Sequence, residues 1–111
     1  MQTVKLTIPS QPEYVTTLRL VTASLARGMD FDYEAVEDLR VCVSELVNYL
    51  LPFNEKLKVI FEEEKDCMKI RIKAEMKDEK SSAAQMSRMI LESLMDEVSR
   101  GKDGIYLVKH R

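Results

Sequence analysis

Glycine, histidine and cysteine are scarce in this 111-residue sequence, and each scarcity excludes a kind of site. The three glycines, Gly28, Gly101 and Gly104, are too few and too widely spaced for a glycine-rich phosphate loop of the dinucleotide-binding or P-loop type. The single histidine, His110, is the penultimate residue, where we expect a solvent-exposed side chain and not half of a catalytic pair. One histidine and two cysteines without ligand spacing exclude a zinc-type cluster.

Long apolar segments and a large excess of one charge are also absent. No apolar stretch approaches the roughly 18 residues of a membrane-spanning helix, and the first ten residues lack an apolar run of signal length. The formal net charge of −2 argues against broad electrostatic capture of nucleic acid. Cys42 and Cys67 lie in apolar or strand-like contexts, so we interpret them as buried free thiols of a reducing compartment. The sequence therefore predicts one domain, residues 1–111, of a soluble cytoplasmic protein.

The first residues of the chain predict a strand followed by a helix. Residues 3–8 alternate between apolar and polar side chains, which is typical of a half-buried strand. Ser10 and Glu13 have the spacing of a capping box, so we expect them to open a helix that ends near Gly28. The expected inward stripe of this helix is Tyr14, Leu18, Val21 and Leu25, and its expected solvated side carries Arg19, Ala23 and Arg27.

A second helix is expected between Asp32, which can cap its start, and Pro52, which stops it. Phe31 and Val36 have the spacing of a hydrophobic staple at its beginning. The predicted core stripe is Val36, Leu39, Val43, Leu46 and Leu50, and a separate polar and aromatic edge consists of Asp38, Cys42, Glu45 and Tyr49.

Two alternating segments after this helix predict a β-hairpin. Residues 57–62 and 68–75 flank an acidic turn at residues 63–66, and they share one apolar face and one mostly charged face. A sheet with this pattern is covered by helices on one side and meets water on the other.

The last third of the chain predicts a helix and a strand. A third helix over residues 82–99 is expected to point Met86, Met89, Ile90, Leu94 and Val98 inward. Gly101 and Gly104 frame a turn into a strand over residues 105–109. The order β-α-α-β-β-α-β with a one-faced sheet predicts a two-layer α/β sandwich.

Glu45 is the carboxylate with the most suggestive setting. It lies in the middle of the second helix, between the apolar stripe and the polar edge, with Asn48 one turn later. A half-exposed helical glutamate without a function fits this pattern. A general base or an organiser of Mg²⁺ and water at a cleft fits it too, and the residue pattern leaves both interpretations open.

The stretch IPSQPEYVTTLRLVTASLARGMDFDYEAVEDLRVCVSELVNYL, residues 8–50, resembles the anti-sigma-factor serine/threonine-protein kinases of bacteria. That family belongs to the histidine-kinase-like ATPase superfamily, which has the Bergerat fold. The likeness is carried by P-x-x-x-x-x-L-R in the first helix, YEAVEDLRVCVSE in the second and ESLMDEV in the third. It implies a helical layer on a mixed sheet, which agrees with the sandwich predicted from periodicity.

The resemblance also implies that ATP and Mg²⁺ bind between the helices, at three short motifs. In the first motif, a glutamate assists serine phosphorylation and an asparagine four residues later ligates Mg²⁺. Glu45 matches the glutamate, but Tyr49 stands at the asparagine position. Asn48 lies one residue earlier, about 100° away around the helix, so we expect its oxygen not to reach the same ion.

The other two motifs depart from the family pattern as well. The aspartate that takes the adenine amino group and the glycine two residues later correspond to Ala74 and Met76. The two glycines that meet the phosphates at the start of the last helix correspond to Gln85 and Ser87. Only the short loop of residues 77–82 stands where the family has a mobile lid. We therefore expect ATP and magnesium to be lost as cofactors, and we expect no catalytic residue and no metal site.

These departures predict a pseudo-kinase that regulates transcription by binding a protein. The resemblance implies that the partner is a sigma factor or an antagonist of one, that neither nucleic acid nor membrane is contacted directly, and that a homodimer can form. Arg19 falls at the partner-facing arginine position of the family, and Leu20 and Arg27 lie on or near the same exposed side.

Two other functions stay open at this point. An active ATP-dependent serine kinase would use Glu45 and Asn48 in a rearranged site. A sensor would hold a different small molecule in the remodelled cleft around Tyr49, Ala74 and Met76.

Overall fold

The computed structural model describes residues 2–77 and 79–111, which form five strands and three α-helices. A short 3-10 turn, Leu51–Phe53, follows the second helix. The elements in chain order are β1 (Gln2–Pro9), α1 (Glu13–Gly28), α2 (Tyr33–Leu50), β2 (Lys56–Glu63), β3 (Cys67–Lys73), α3 (Ser82–Leu94), β4 (Glu97–Gly101) and β5 (Gly104–His110).

The strands form one sheet in the order β1-β2-β3-β5-β4, and the helices cover its apolar face. The predicted two-layer α/β sandwich is therefore confirmed. Every pairing between the described strands is antiparallel, where the resemblance implied a mixed sheet. No described helix is long and apolar enough to cross a membrane.

The second helix is the centre of the helical layer, because it contacts both α1 and α3. Its predicted start is confirmed: the Asp32 side chain accepts a hydrogen bond of 2.8 Å from the backbone N–H of Ala35. Pro52 follows the helix end as expected. All five residues of the predicted core stripe are buried, together with Cys42 and Val47. The apolar periodicity of this segment thus fixed both its type and its inward face.

The first helix starts and faces differently from the prediction. No side chain caps α1, and Ser10 instead donates its backbone N–H to the carbonyl of Glu55 at 3.0 Å, so the expected capping box is wrong. Ala23 is buried, whereas the prediction placed it on the solvated side. Positions four residues apart drift by about 40° per step around a helix, so this stripe runs obliquely along the edge of the buried side, where Arg19 is partly buried, Ala23 is buried and Arg27 is exposed. Tyr14 is 36% exposed, and the buried positions are Val15, Leu18, Thr22, Ala23 and Ala26.

The third helix is shorter and rotated relative to the prediction. It ends at Leu94, and its buried residues are Ala84, Ser87 and Leu91. Met86 and Met89, expected to face inward, are 64% and 70% exposed. Helical spacing alone does not decide which side of the helix faces inward. The prediction turns the bulky methionines towards the core, whereas the helix buries the small side chains of Ala84 and Ser87.

Residues 97–101, expected at the end of this helix and in the turn after it, form an additional strand, β4. β4 pairs with β5 through a tight hairpin in which Gly101 stands opposite Gly104. Val98 therefore lies on the inner face of a strand and not on a helix. The pairing supplies backbone hydrogen bonds that a frayed last helical turn would lack, which explains the change of structure.

The β2–β3 hairpin and β5 are confirmed, with one exception to the predicted division of faces. Ile60 points to the outer face of the sheet but is only 2% exposed. Its cross-strand neighbours there are Lys5 and Arg71, and long aliphatic stems of this kind can cover an apolar neighbour.

Candidate functional site

A cavity of about 300 Å³ lies between α2, α3 and the β4–β5 hairpin. Three of the positions singled out from the sequence, Tyr49, Met76 and Ser87, line it together. They come from the end of α2, from the segment after β3 and from the sheet-facing side of α3, which this fold brings to one place. The structure thus brings three positions from separate segments to one cavity, and their role there stays a prediction.

Tyr49 ties the end of α2 to the segment after β3. Its hydroxyl donates a hydrogen bond to the backbone carbonyl of Lys77, and its ring meets Phe53 edge-on at a centroid distance of 5.6 Å. The side chain at the position of the family's metal-ligating asparagine thus joins two parts of the protein's own structure.

Asn54, which is not among the predicted site residues, holds the same segment at a second point. Its Nδ2 donates to the carbonyls of Leu50 and Glu75 at 2.9 and 3.0 Å, and its Oδ1 accepts from the Glu75 N–H at 2.8 Å. An asparagine just after a proline-terminated helix is a signal for such backbone bonding. Residues 74–77 are consequently held to α2 at two points.

We expect Tyr49→Phe to loosen this segment, because the Lys77 carbonyl loses its donor. The free energy of unfolding should fall by about 0.5–1.5 kcal/mol, and backbone amides in residues 74–77 should exchange faster with solvent. Tyr33→Phe is the matched control, since Tyr33 is 77% exposed. Hydrogen exchange followed by mass spectrometry compares the amide protection of residues 74–77 in the two variants. Equal protection would contradict the assigned role of the Tyr49 hydroxyl.

The remaining positions expected at the cleft do not line this cavity. Glu45 is half-buried and Asn48 is exposed on α2, and neither lines this cavity. Gln85 is exposed and donates its side-chain N–H to the Lys80 carbonyl at 3.2 Å. Ala74 lies in a neighbouring, open groove of about 600 Å³ that shares Met76 with the cavity.

An ion pair at the cavity was missed because Arg100 was not expected to lie on a strand. Arg100 of β4 meets Glu79 with an N–O distance of 2.5 Å, and both residues line the cavity. The Asp103-Gly104 dipeptide, with Gly101 two residues before it, is typical of a tight turn and is compatible with a strand on each side. Applied to residues 97–100, that signal would have placed Arg100 on the sheet.

A second polar cluster lies between α2, α3 and β5. Lys109 donates to Asp38 Oδ2 at 3.3 Å and to the carbonyl of Leu94 at 2.7 Å, which is the last residue of α3. Cys42, a buried free thiol as predicted, lies near this pair. Burial, followed by the nearby Asp38 carboxylate, raises the pKa of Cys42 to about 12, although the Lys109 ammonium lowers it.

This raised pKa predicts a loss of stability in alkali. The folded state favours the neutral thiol, so this contribution is intact below the ordinary pKa of 9.0 and is lost as the pH rises from 9 towards 12. Between pH 9 and 11 the protein should therefore lose more stability than Cys42→Ala, by at most about 1.4 kcal/mol per pH unit. Urea unfolding at each pH tests this, and parallel curves for the two proteins would refute it.

The residues predicted to meet a protein partner all lie on α1. Leu20 is 63% exposed and Arg27 is exposed, whereas Arg19 is partly buried. Among the described residues, the Arg19 Nε is buried without a hydrogen-bond acceptor. The helix thus presents an exposed leucine between two arginines, at a place separate from the cavity.

The described residues contain no group of three or more histidine, cysteine, aspartate or glutamate side chains placed to hold a metal ion. His110 is exposed, and its Nε2 lies 3.7 Å from Glu97 Oε2.

Comparison with known proteins supports the resemblance found in the sequence. The chain is 43% identical over 44 residues to the serine-protein kinase RsbW of Oceanobacillus iheyensis, a match that covers 40% of this chain and 28% of that protein. It is 40% identical over 42 residues to the RsbW of Bacillus subtilis, covering 38% of this chain and 26% of the relative. The Listeria monocytogenes RsbW matches at 43% identity over 44 residues, covering 40% and 28%.

The matched part spans about a quarter of these relatives' own length. No family model matches the chain. The similarity to the anti-sigma-factor serine-protein kinases is confirmed by these relatives.

Proposed function

We propose that this chain is an anti-sigma-type regulator that acts by binding a protein, without nucleotide chemistry. The observation that carries the proposal is the hydrogen bond from Tyr49 to the Lys77 carbonyl, with Met76 at the same cavity. Tyr49 and Met76 stand where the resemblance places a metal ligand and the glycine of the adenine-binding motif. The Tyr49 side chain thus bonds to the backbone of this chain at a position where the resemblance places a ligand of Mg²⁺.

The residues around the cavity do not fit ATP with Mg²⁺. Ala74 offers no carboxylate for an adenine amino group, and Gln85 points its amide to the Lys80 carbonyl. Glu45 does not line the cavity, which removes the one motif residue that matches the family. A buried polar contact that is lost costs about 1–3 kcal/mol, so several such losses together would leave little affinity for a nucleotide.

The proposed contact surface is the exposed side of α1 around Leu20. An apolar side chain with arginines nearby is typical of the few residues that carry most of the energy of an interface. Arg19 is partly buried on the same helix, and its guanidinium could bind a carboxylate of the partner. The proposed partner is a sigma factor or its antagonist, the class that the family resemblance implies.

A calorimetric titration of Mg²⁺-ATP and Mg²⁺-ADP into the purified protein tests the absence of nucleotide chemistry. We expect no saturable heat up to millimolar nucleotide. Saturable binding at micromolar concentration, or transfer of phosphate to a serine of a partner, would overturn the proposal in favour of an active kinase.

Binding to purified sigma factors and their antagonists from the same genome tests the partner surface. We expect Leu20→Glu and Arg19→Ala each to weaken the complex at least tenfold, about 1.4 kcal/mol. Met89→Glu and Lys56→Ala are matched controls on other exposed surfaces, and they should bind like the unmodified protein. Equal losses in the control variants would refute α1 as the contact surface.

The homodimer implied by the resemblance stays a prediction, which analytical ultracentrifugation of the purified protein checks.

A further inference from the structure

Ser87 has an unusual setting for a helical serine. Its side chain is 4% exposed and lines the 300 Å³ cavity, yet its Oγ has no hydrogen-bond partner in the described part of the chain. Thr22, the other buried hydroxyl in a helix, donates to the Leu18 carbonyl at 2.8 Å. A buried hydroxyl without a partner is costly, so a ligand atom in the cavity would gain by bonding to it.

The space beside Ser87 has a local cause in the sequence. The first turns of α3 turn small side chains, Ala84 and Ser87, towards the cavity, and larger apolar residues stand opposite on α2 and on the sheet. These apolar lining residues include Leu46, Val98 and Ile105. A volume of about 300 Å³ is at the small end of the range for small-molecule sites. The cavity therefore suits a small ligand with an apolar body.

The charged residues at the cavity are balanced, with two arginines and two glutamates. Arg100 and Glu79 already pair with each other. Arg88 and Glu92 lie four residues apart on α3, both exposed, and neither has an ion-pair partner among the described residues. A guanidinium binds a carboxylate and a carboxylate binds an ammonium, so this edge offers one group of each kind.

We propose that the cavity binds a zwitterionic α-amino acid with an apolar side chain. The side chain fills the apolar space, the carboxylate meets Arg88, the ammonium meets Glu92, and the hydroxyl of Ser87 bonds to the head group. This site is separate from the α1 surface, so the proposal does not depend on the identity of the protein partner.

Calorimetry and ¹⁵N–¹H NMR titration with L-phenylalanine, L-leucine and L-methionine test this site. We expect at least one to bind saturably with a Kd below about 1 mM, and to shift amide signals of residues 84–92. The matched probes for phenylalanine are 3-phenylpropionate, which lacks the ammonium, and phenethylamine, which lacks the carboxylate; each should bind at least tenfold more weakly. The proposal would be overturned if either analogue bound as tightly as phenylalanine, or if none of the three amino acids bound.

Two variants test the assigned contacts. Ser87→Ala and Glu92→Gln should each weaken the bound amino acid at least fivefold, while urea unfolding checks that they remain folded. Ser93→Ala is the matched control, because the Ser93 hydroxyl already donates to the Ile90 carbonyl at 2.9 Å and is exposed. Unchanged affinity in Ser87→Ala would refute the hydroxyl contact. Binding of Mg²⁺-ATP would overturn the proposed function, whereas silence towards both ligands would overturn only this site.

Discussion

Gly104→Ala is expected to lower the free energy of unfolding by about 3 kcal/mol or more, and in this small protein to abolish folding at elevated temperature. Gly104 is the first residue of β5 and has a φ of +154°, a backbone conformation that L side chains rarely adopt. A Cβ at this position would also lie far inside van der Waals distance of the Ile72 carbonyl oxygen on the neighbouring strand. Since both atoms belong to paired strands, the clash can be relieved only by separating β3 from β5.

Gly28→Ala is the matched control for this substitution. Gly28 is the last residue of α1, and a Cβ there would meet no atom within 4 Å. Alanine is the better helix former, so this variant should be neutral or more stable by up to about 1 kcal/mol. Urea unfolding followed by circular dichroism measures both. A cost below about 1 kcal/mol for Gly104→Ala would show that β3 and β5 can separate easily.

Lys109→Met is expected to cost about 2–3 kcal/mol of stability, the second largest effect. The Lys109 side chain is 15% exposed, and its ammonium serves both the Asp38 carboxylate and the Leu94 carbonyl at the end of α3. Methionine retains the apolar stem but leaves a mostly buried carboxylate and a helix-terminal carbonyl without their donor. The loss should therefore separate α3 from β5 before the rest of the sheet unfolds.

Lys69→Met is the matched control on the outer face of the sheet. Lys69 pairs with Glu64 at 3.1 Å, but its side chain is 46% exposed, so water screens the pair and its loss should change stability far less than the loss of Lys109. A double-mutant cycle of Lys109→Met with Asp38→Asn isolates the pair itself. Additive effects in that cycle would show that the Leu94 carbonyl, and not Asp38, is the partner that matters.

The parts of the fold that were predictable from sequence are those where pattern and packing agree. The five-residue stripe of α2 is apolar, regularly spaced and bounded by Asp32 and Pro52, and it is buried as predicted. The β2–β3 hairpin alternates clearly around an acidic turn, and its register follows from that alternation. Local signals decide such elements before any tertiary contact is considered.

The third helix and the fourth strand were harder because their decisive partners are distant in sequence. Residues 82–99 fit a helical period, but pairing with β5 draws residues 97–101 into the sheet. Without that strand, the inward side of α3 could be chosen only by size, which favoured Met86 and Met89 over Ala84 and Ser87. The Arg100–Glu79 pair was hidden for the same reason.

The candidate site shows the same division. Positions Tyr49, Met76 and Ser87 lie at one cavity, and whether this cavity is a binding site stays a prediction. Their surroundings depend on Asn54 and on the backbone of residues 74–77, whose hydrogen bonds join segments that are distant in sequence. Contacts between segments that are distant in sequence are thus harder to predict than the helices and strands that carry them.

The outward phase of α3 also determines how the protein meets oxidants. Met86 and Met89 are accessible on that helix, whereas Met29, Met68 and Met95 are buried in the core. Oxidation to the sulfoxide makes a flexible apolar side chain polar, and it disrupts a protein when it happens inside a core. Peroxide therefore reaches the exposed thioethers of Met86 and Met89 first, and their oxidation leaves the packing of the core unchanged.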